Sequence, residues 1–219
     1  CYLTLNQANS HLKEYPELKD KVDEALAAAD LKYKGTVKIR HLVDVVMNDV
    51  GLDEIKSKIV KPLEGLKIAP YYGCQLIRPI TGFDDPEYPV SLDYLTVALG
   101  AEAVPFPLKC RCCGGASMIY DPDLSLELIR MLLESAVSSG AQLLITPCPL
   151  CQTNLDGYQG FINSKFKTKY NFPVLFFTQL IGLAFGLEPK ALGIDKVVVQ
   201  PKKLLAQKLG VVGRKIKGA

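Results

Sequence analysis

Four short apolar runs occur between residues 66 and 178, and none has the alternating polar positions of a half-exposed strand. Runs that are apolar on both faces are typical of parallel strands covered by helices. They are LKIAPYYGC (66–74), AEAVPFP (101–107), AQLLITPCP (141–149) and NFPVLFFT (171–178). We predict a β-strand in each run.

Apolar residues at helical spacing fill the intervals between these runs and follow the last one. Asp121 and Pro122 are typical of a helix start, and Gly140 of a helix end. The predicted helices cover residues 90–100, 121–140, 149–157 and 178–189. This alternation predicts an α/β fold with a mostly parallel sheet flanked by helices.

The first 60 residues follow a different pattern. Residues 11–30 are polar and helix-forming, and residues 36–55 predict a short strand followed by an amphipathic helix. The opening CYLTLN is similar to CQTNLD at 151–156, and VKIRHLVDVVMNDVGL is similar to VLFFTQLIGLAFGL. This internal repeat predicts that residues 1–62 are the C-terminal part of a truncated first copy. Residues 63–219 are then a complete second copy with a C-terminal tail.

Composition limits the possible partners and compartment. The chain has 219 residues, of which 48% are hydrophobic, which is enough for a sizeable core. A net charge of +3 is too small to indicate a nucleic-acid partner. The longest apolar stretch, FPVLFFTQLIGLAFGL, contains Pro, Gln and Gly, so we predict a buried strand and helix and no membrane span. No secretory signal is present and the thiols are crowded, which favours a cytoplasmic protein.

The candidate chemistry lies in the cysteines, three of which fall within KCRCCGGA (109–116). Five of the seven cysteines follow the first three predicted strands. They are Cys74, Cys112, Cys113, Cys148 and Cys151. Because the carboxyl ends of parallel strands meet at one edge of a sheet, we expect these five thiols to converge there.

The spacing of these thiols favours an iron–sulfur cluster over a single metal ion. A structural zinc usually takes four thiolates from two Cys-x-x-Cys pairs, and this chain has one such pair, Cys148 and Cys151. Adjacent side chains such as Cys112 and Cys113 diverge, so they reach two irons more easily than one ion. Cys110 fits neither arrangement and is interpreted as a neighbouring thiol. Unliganded cysteines, a thioredoxin-like redox pair and a structural zinc module remain as alternatives.

The pattern from Cys74 through Cys-Cys-Gly to Cys-Pro-Leu-Cys resembles the cysteine-rich CCG domain, which marks the B-type subunit of heterodisulfide reductase and its relatives. The similarity extends over YYGCQLIRP, ITPCPLCQTNLD and PVLFFTQLIGLAFG. The resemblance implies a non-cubane [4Fe-4S] cluster held by all five cysteines named above. It also implies that Cys1 is the last ligand of a first cluster, which forms only if its missing half is supplied.

The resemblance further implies an oxidoreductase subunit that reduces a small disulfide of the CoM-S-S-CoB type. Partner subunits of the A-type and C-type, carrying flavin and cubane clusters, would deliver the electrons. Two alternatives are an electron-relay subunit of a hydroxyacid or succinate oxidoreductase and the zinc-binding assembly module. Tyr71 and Tyr72 either wall the cluster or fill the sheet edge, and His41 is interpreted as structural.

Overall fold

The four apolar runs form four parallel strands in the computed structural model, which describes residues 2–78 and 84–210. Each strand is shorter than its run. The strands are β1 (Lys67–Pro70), β2 (Glu102–Ala103), β3 (Leu143–Thr146) and β4 (Val174–Phe176). Helices cover both faces of the sheet, so the predicted α/β class is confirmed.

The order of the strands creates a crevice at the carboxyl edge of the sheet. The spatial order is β2-β1-β3-β4, so β1 lies next to both β2 and β3. Ile68 is in register with Ala103 on one side and with Leu143 on the other. The direction of strand order therefore reverses between β1 and β3, the position at which open α/β sheets form their binding sites.

The helices predicted between the strands are all present. Asp121 caps one of them by accepting a hydrogen bond from the Leu124 backbone N–H at 3.0 Å. From β1 onward the helices are α5 (Cys74–Ile77), α6 (Ser91–Ala98), α7 (Pro122–Ser138), α8 (Pro149–Gly157), α9 (Gln159–Phe166), α10 (Phe177–Ala184) and α11 (Lys202–Leu209). None of the helices within the described residues is long and apolar enough to cross a membrane.

Alternate strand residues point into two separate cores. Ile68 and Leu143 belong to the first core, together with side chains from α6 and α10. Ala69 and Leu144 belong to the second core, together with side chains from α7 and α8. This is the two-residue period of a strand that is buried on both faces. We call the first core the α6/α10 face and the second the α7/α8 face.

The segment before β1 is helical, and one prediction for it is wrong. It contains α1 (Tyr2–Glu14), α2 (Pro16–Ala27), α3 (Leu42–Val45), a π-helical turn (Val46–Val50) and α4 (Leu52–Ser57). The strand predicted at its centre is absent, because residues 36–41 pair with no strand in the described part of the chain. Val43 and Ile55 nevertheless pack into the α6/α10 face.

Candidate functional site

Three strand ends deliver the five predicted thiols to one edge of the sheet. Cys74 begins α5 shortly after β1, and Cys112 and Cys113 lie in the loop between β2 and α7. Cys148 is the N-cap residue of α8, and Cys151 lies in its first turn. All five are free cysteines, and β1 and β3 flank the crevice described above.

The five thiols contact one another in pairs. The sulfurs of Cys113 and Cys151 are 3.5 Å apart, so the second and third strand ends meet directly. The thiol of Cys74 hydrogen-bonds to that of Cys112, and the thiol of Cys151 to that of Cys148. Within residues 2–78 and 84–210, no three His, Cys, Asp or Glu side chains are arranged so that they could hold one metal ion.

These contacts separate proton-donating thiols from thiols that ionise readily. Hydrogen bonds from the neighbouring thiols lower the pKa of Cys112 and of Cys148 to about 6. The hydrogen bond with Cys151 likewise lowers the pKa of Cys113, whereas the hydrogen bonds with Cys113 and Cys148, together with burial, raise the pKa of Cys151. Because a thiolate is the form that binds metals, three of the five sulfurs are already biased toward ligation.

Backbone amides add to this bias. The Gly114 N–H donates to the Cys112 sulfur at 3.3 Å. The amides of Leu150 and Cys151, in the first turn of α8, also help to lower the pKa of Cys148. Amides at the start of a helix stabilise negative charge. The backbone therefore favours the thiolate form of cysteines that have been brought together at this edge of the sheet.

Gly73 leaves room for the sulfurs at the end of β1. Its φ is +69°, and a Cβ there would lie 3.3 Å from the Cys151 sulfur and 3.5 Å from the Tyr71 hydroxyl oxygen. A side chain would therefore occupy the space in which the thiols meet. The donor set and this space fit a group held by several thiolates, such as an iron–sulfur cluster.

The two adjacent tyrosines have different roles. Tyr71 is buried in the α7/α8 face with Cys113 and Cys151, and its hydroxyl donates to the Arg111 carbonyl at 2.6 Å. Burial and the nearby cysteine sulfurs raise the pKa of Tyr71 well above its ordinary value. Tyr71 therefore forms a wall of the site, as one of the two sequence interpretations proposed.

Tyr72 points to the opposite face and belongs to a charged network. Its hydroxyl hydrogen-bonds to the Asp93 carboxylate and accepts the Leu92 backbone N–H at 2.9 Å. The ammonium of Lys109, a residue only 5% exposed, lies 3.5 Å from the same carboxylate and donates to the Pro89 carbonyl at 2.7 Å. The sequence did not predict this buried lysine, because lysine is almost always exposed.

The Cys-Cys-Gly loop is fixed by two buried side chains that the sequence analysis missed. Asn154 of α8 donates to the Cys113 carbonyl at 3.1 Å and approaches the Cys113 sulfur at 3.8 Å. Ser125 of α7 donates to the Gly114 carbonyl at 2.8 Å. The position of Asn154, three residues after Cys151 on the same helix face, was the signal that could have identified it.

The remaining two cysteines differ from the five. Cys110 packs against the α6/α10 face, and its sulfur lies 3.7 Å from the Glu87 carbonyl oxygen. Burial raises the pKa of Cys110, although the nearby cations of Lys109 and Arg78 partly oppose this. Cys1 lies outside the described residues.

Comparison with known proteins identifies the family. The cysteine-rich domain designated CCG matches residues 68–156, which contain the five thiols. The chain is 36% identical over 211 residues to the B-type subunit of the ferredoxin:CoB-CoM heterodisulfide reductase of Methanosarcina mazei, covering 94% of this chain and 70% of that protein. The chain belongs to the family of heterodisulfide reductase B-type subunits. The family predicted from the cysteine pattern is thus confirmed.

Other relatives of the chain differ in their named activity. It is 36% identical over 206 residues to the membrane anchor subunit of the 8-methylmenaquinol:fumarate reductase of Wolinella succinogenes, covering 93% of this chain and 71% of that protein. A hypothetical protein of known structure from Helicobacter pylori has a TM-score of 0.71 at 18% identity, over 91% of this chain and 36% of that chain. The last comparison concerns the fold alone.

Proposed function

We propose that this chain is the iron–sulfur subunit of a heterodisulfide reductase-like complex that reduces a disulfide of the CoM-S-S-CoB type. The main support is the convergence of five free cysteines at the switch point of the sheet, inside the matched cysteine-rich domain. We propose as ligands of a non-cubane [4Fe-4S] cluster Cys74, Cys112, Cys113, Cys148 and Cys151. When bound, the cluster would supply single electrons and an iron to which a substrate sulfur can bind.

The protein side chains have two roles in this proposal. The buried sulfurs of Cys113 and Cys151 hold the group against the α7/α8 face, where Tyr71 excludes water from one side. Cys112 is exposed, so the outer side of the site is open to a small disulfide or thiol. A site closed on the inside and open on the outside can retain a cofactor while admitting a substrate.

Metal analysis after anaerobic purification tests the cofactor. We expect about four iron and about four sulfide per chain. A single zinc with no sulfide would support the structural zinc module and contradict the proposal. We further propose flavin- and iron–sulfur-containing A- and C-type subunits as partners, because the heterodisulfide reductase relatives are named as subunits. We propose the cytoplasm as the compartment, because free thiols are typical of a reducing environment.

An electron-relay subunit is the second candidate function, favoured by the similarity to a fumarate reductase subunit whose name includes no disulfide. The two candidates differ in what reaches the cluster. If a disulfide is reduced here, adding a thiol product should change the EPR spectrum of the oxidised protein, because sulfur binds at the cluster. If the spectrum stays the same with every candidate thiol, relay is favoured.

We also propose that residues 1–62 close a first cysteine-rich copy and that Cys1 belongs to its cluster. In support, the helix capped by His41 reaches a positive-φ glycine at Gly51, and the helix capped by Phe176 reaches one at Gly186, ten residues later in both cases. A second Cys-Cys-Gly encoded upstream of Cys1 would support this proposal. An upstream region without one would contradict it.

A further inference from the structure

Asn154 is the one buried side-chain amide that the structure places against a candidate ligand sulfur, within the described residues. It is 2% exposed, and its amide nitrogen lies 3.1 Å from the Cys113 carbonyl oxygen and 3.8 Å from the Cys113 sulfur. The carbonyl fixes the orientation of the amide, because a carbonyl oxygen only accepts hydrogen bonds. One N–H of Asn154 can therefore donate to the Cys113 carbonyl while the other points toward the Cys113 sulfur.

We propose that Asn154 is a positioning residue that sets the reduction potential of the bound cluster through its N–H to the Cys113 sulfur. This inference rests on the proposed function, because it requires Cys113 to be a ligand. Hydrogen bonds to ligand sulfurs are one of the features by which proteins set the potentials of iron–sulfur clusters. A donor stabilises the more negatively charged, reduced state, so it raises the potential.

The surroundings of Asn154 make this contact effective. Cys113 is 3% exposed, so water does not compete strongly for its sulfur. In such an environment a hydrogen bond is stronger than in water. Among the described residues, the other N–H groups that donate to these sulfurs, such as the Gly114 N–H at Cys112, belong to the backbone. Asn154 therefore offers a donor that a substitution can remove while the backbone amides stay.

Two variants of Asn154 test the inference by redox titration of the cluster-loaded protein. Asn154→Leu removes both side-chain N–H groups at similar volume, and we expect it to lower the reduction potential. The redox equilibrium constant should change by up to about tenfold, which is ~59 mV for one electron. Asn154→Asp keeps the shape but replaces the donor with a negative charge, so we expect a larger decrease. An unchanged potential in both variants would overturn the inference.

Two controls separate the sulfur contact from loop position and from general loss of packing. Ser125→Ala removes the hydrogen bond to the Gly114 carbonyl but leaves the Asn154 amide in place. Gln159→Leu removes another carboxamide that is also 2% exposed and bonds only backbone groups, those of Leu155 and Phe172. We expect an unchanged potential in Gln159→Leu, and in Ser125→Ala a clearly smaller decrease than in Asn154→Leu. An equal decrease in either control would assign the effect to structure and overturn the inference.

A measurement on the unaltered protein keeps the test valid if the Asn154 variants fail to fold. The chain is labelled with ¹⁵N at asparagine, and pulsed EPR of the paramagnetic cluster should detect a weakly coupled nitrogen from the Asn154 side chain. Absence of that coupling in a protein with full iron and sulfide would overturn the inference while leaving the proposed function intact. A protein that binds no iron or sulfide would overturn both.

Discussion

The α7/α8 face and the α6/α10 face end in different chemistry at the same edge of the sheet. Tyr71 and Tyr72 are consecutive, yet Tyr71 lies among sulfurs and Tyr72 among charged groups. Cys113 and Cys110 are separated in the same way, the first in the α7/α8 face and the second against the α6/α10 face. Two chemically different environments are thus built from neighbouring residues of the same loops.

This difference separates the charged groups, which contact Tyr72, from the thiols, which lie near Tyr71. The Asp93 carboxylate and the Lys109 ammonium form an ion pair on the α6/α10 face, and the ammonium also donates to the Pro89 carbonyl. The carbonyl of Lys109 accepts the backbone N–H of Tyr72 at 2.9 Å and that of Gly73 at 3.2 Å. The backbone of Lys109 therefore fixes the turn that leads from β1 to Cys74.

The largest expected effect is the loss of the cluster when a buried thiol of the α7/α8 face is replaced. Cys113→Ser or Cys151→Ser should lose most of the iron and sulfide, because a buried hydroxyl is a poor substitute for a thiolate ligand. Cys110→Ser is the matched control on the other face and should retain the wild-type content. Iron and sulfide analysis decides, and an equal loss in Cys110→Ser would make Cys110 a ligand and remove the distinction between the faces.

Replacing the buried cation should affect stability and leave cluster content unchanged. Lys109→Met keeps an apolar stem but removes the cation that neutralises the Asp93 carboxylate, so we expect the free energy of unfolding to fall by about 3 kcal/mol. Lys67→Met is the control: its ion pair with Glu102 has a similar distance of 3.4 Å but is exposed. Lys67→Met should lower the free energy of unfolding by about 0.5 kcal/mol.

Denaturant titration of the cluster-free protein measures both values, and iron per folded chain is measured separately. Equal losses of stability in the two variants would show that burial of the Lys109 pair is unimportant. Loss of iron from folded Lys109→Met would extend the functional site to the charged face.

The sequence predicted the sheet and the converging thiols because both depend on local patterns. The apolar runs identify β1 to β4, and Cys74, Cys112 and Cys148 follow strands whose carboxyl ends must meet. The assignment of the five thiols as ligands stays a prediction. Residues 36–41 were wrongly expected to include a strand, because a strand exists only with a partner, and the described chain supplies none there.

Side-chain networks could not be predicted to the same extent. The burial of Lys109 depends on Pro89 and Asp93, which come close only when α6 packs on the sheet. The contact between Asn154 and Cys113 joins two loops that are far apart in sequence. Such contacts depend on tertiary packing, whereas residue propensity describes only local structure.

A smaller effect is expected where the Cys-Cys-Gly loop meets α7. Gly114 has φ +72°, and a Cβ there would lie 2.9 Å from the Ser125 Cα, whereas Gly140 has φ +87° and nothing within 4 Å. Both Gly→Ala substitutions strain the backbone, but only Gly114→Ala also pushes the Cys-Cys-Gly loop away from α7. We expect it to lower the free energy of unfolding by about 2 kcal/mol more than Gly140→Ala does. Equal costs would show that the loop can move without penalty.

The smallest effect concerns pH and lies where α3 joins the α6/α10 face. Burial lowers the pKa of His41 to about 4, although the Asp44 carboxylate partly opposes this. In the unfolded chain the His41 imidazole has its ordinary pKa of about 6.5. The stability that neutral His41 contributes to the folded state is therefore complete above about pH 6.5 and is lost as the pH falls toward 4. His41→Asn keeps an acceptor for the Val43 N–H but does not titrate. Between about pH 7 and about pH 5.5, the free energy of unfolding of the wild type should fall by about 1 kcal/mol more than that of His41→Asn. Denaturant titrations measure both pH profiles, and parallel profiles would show that the fold does not hold His41 neutral.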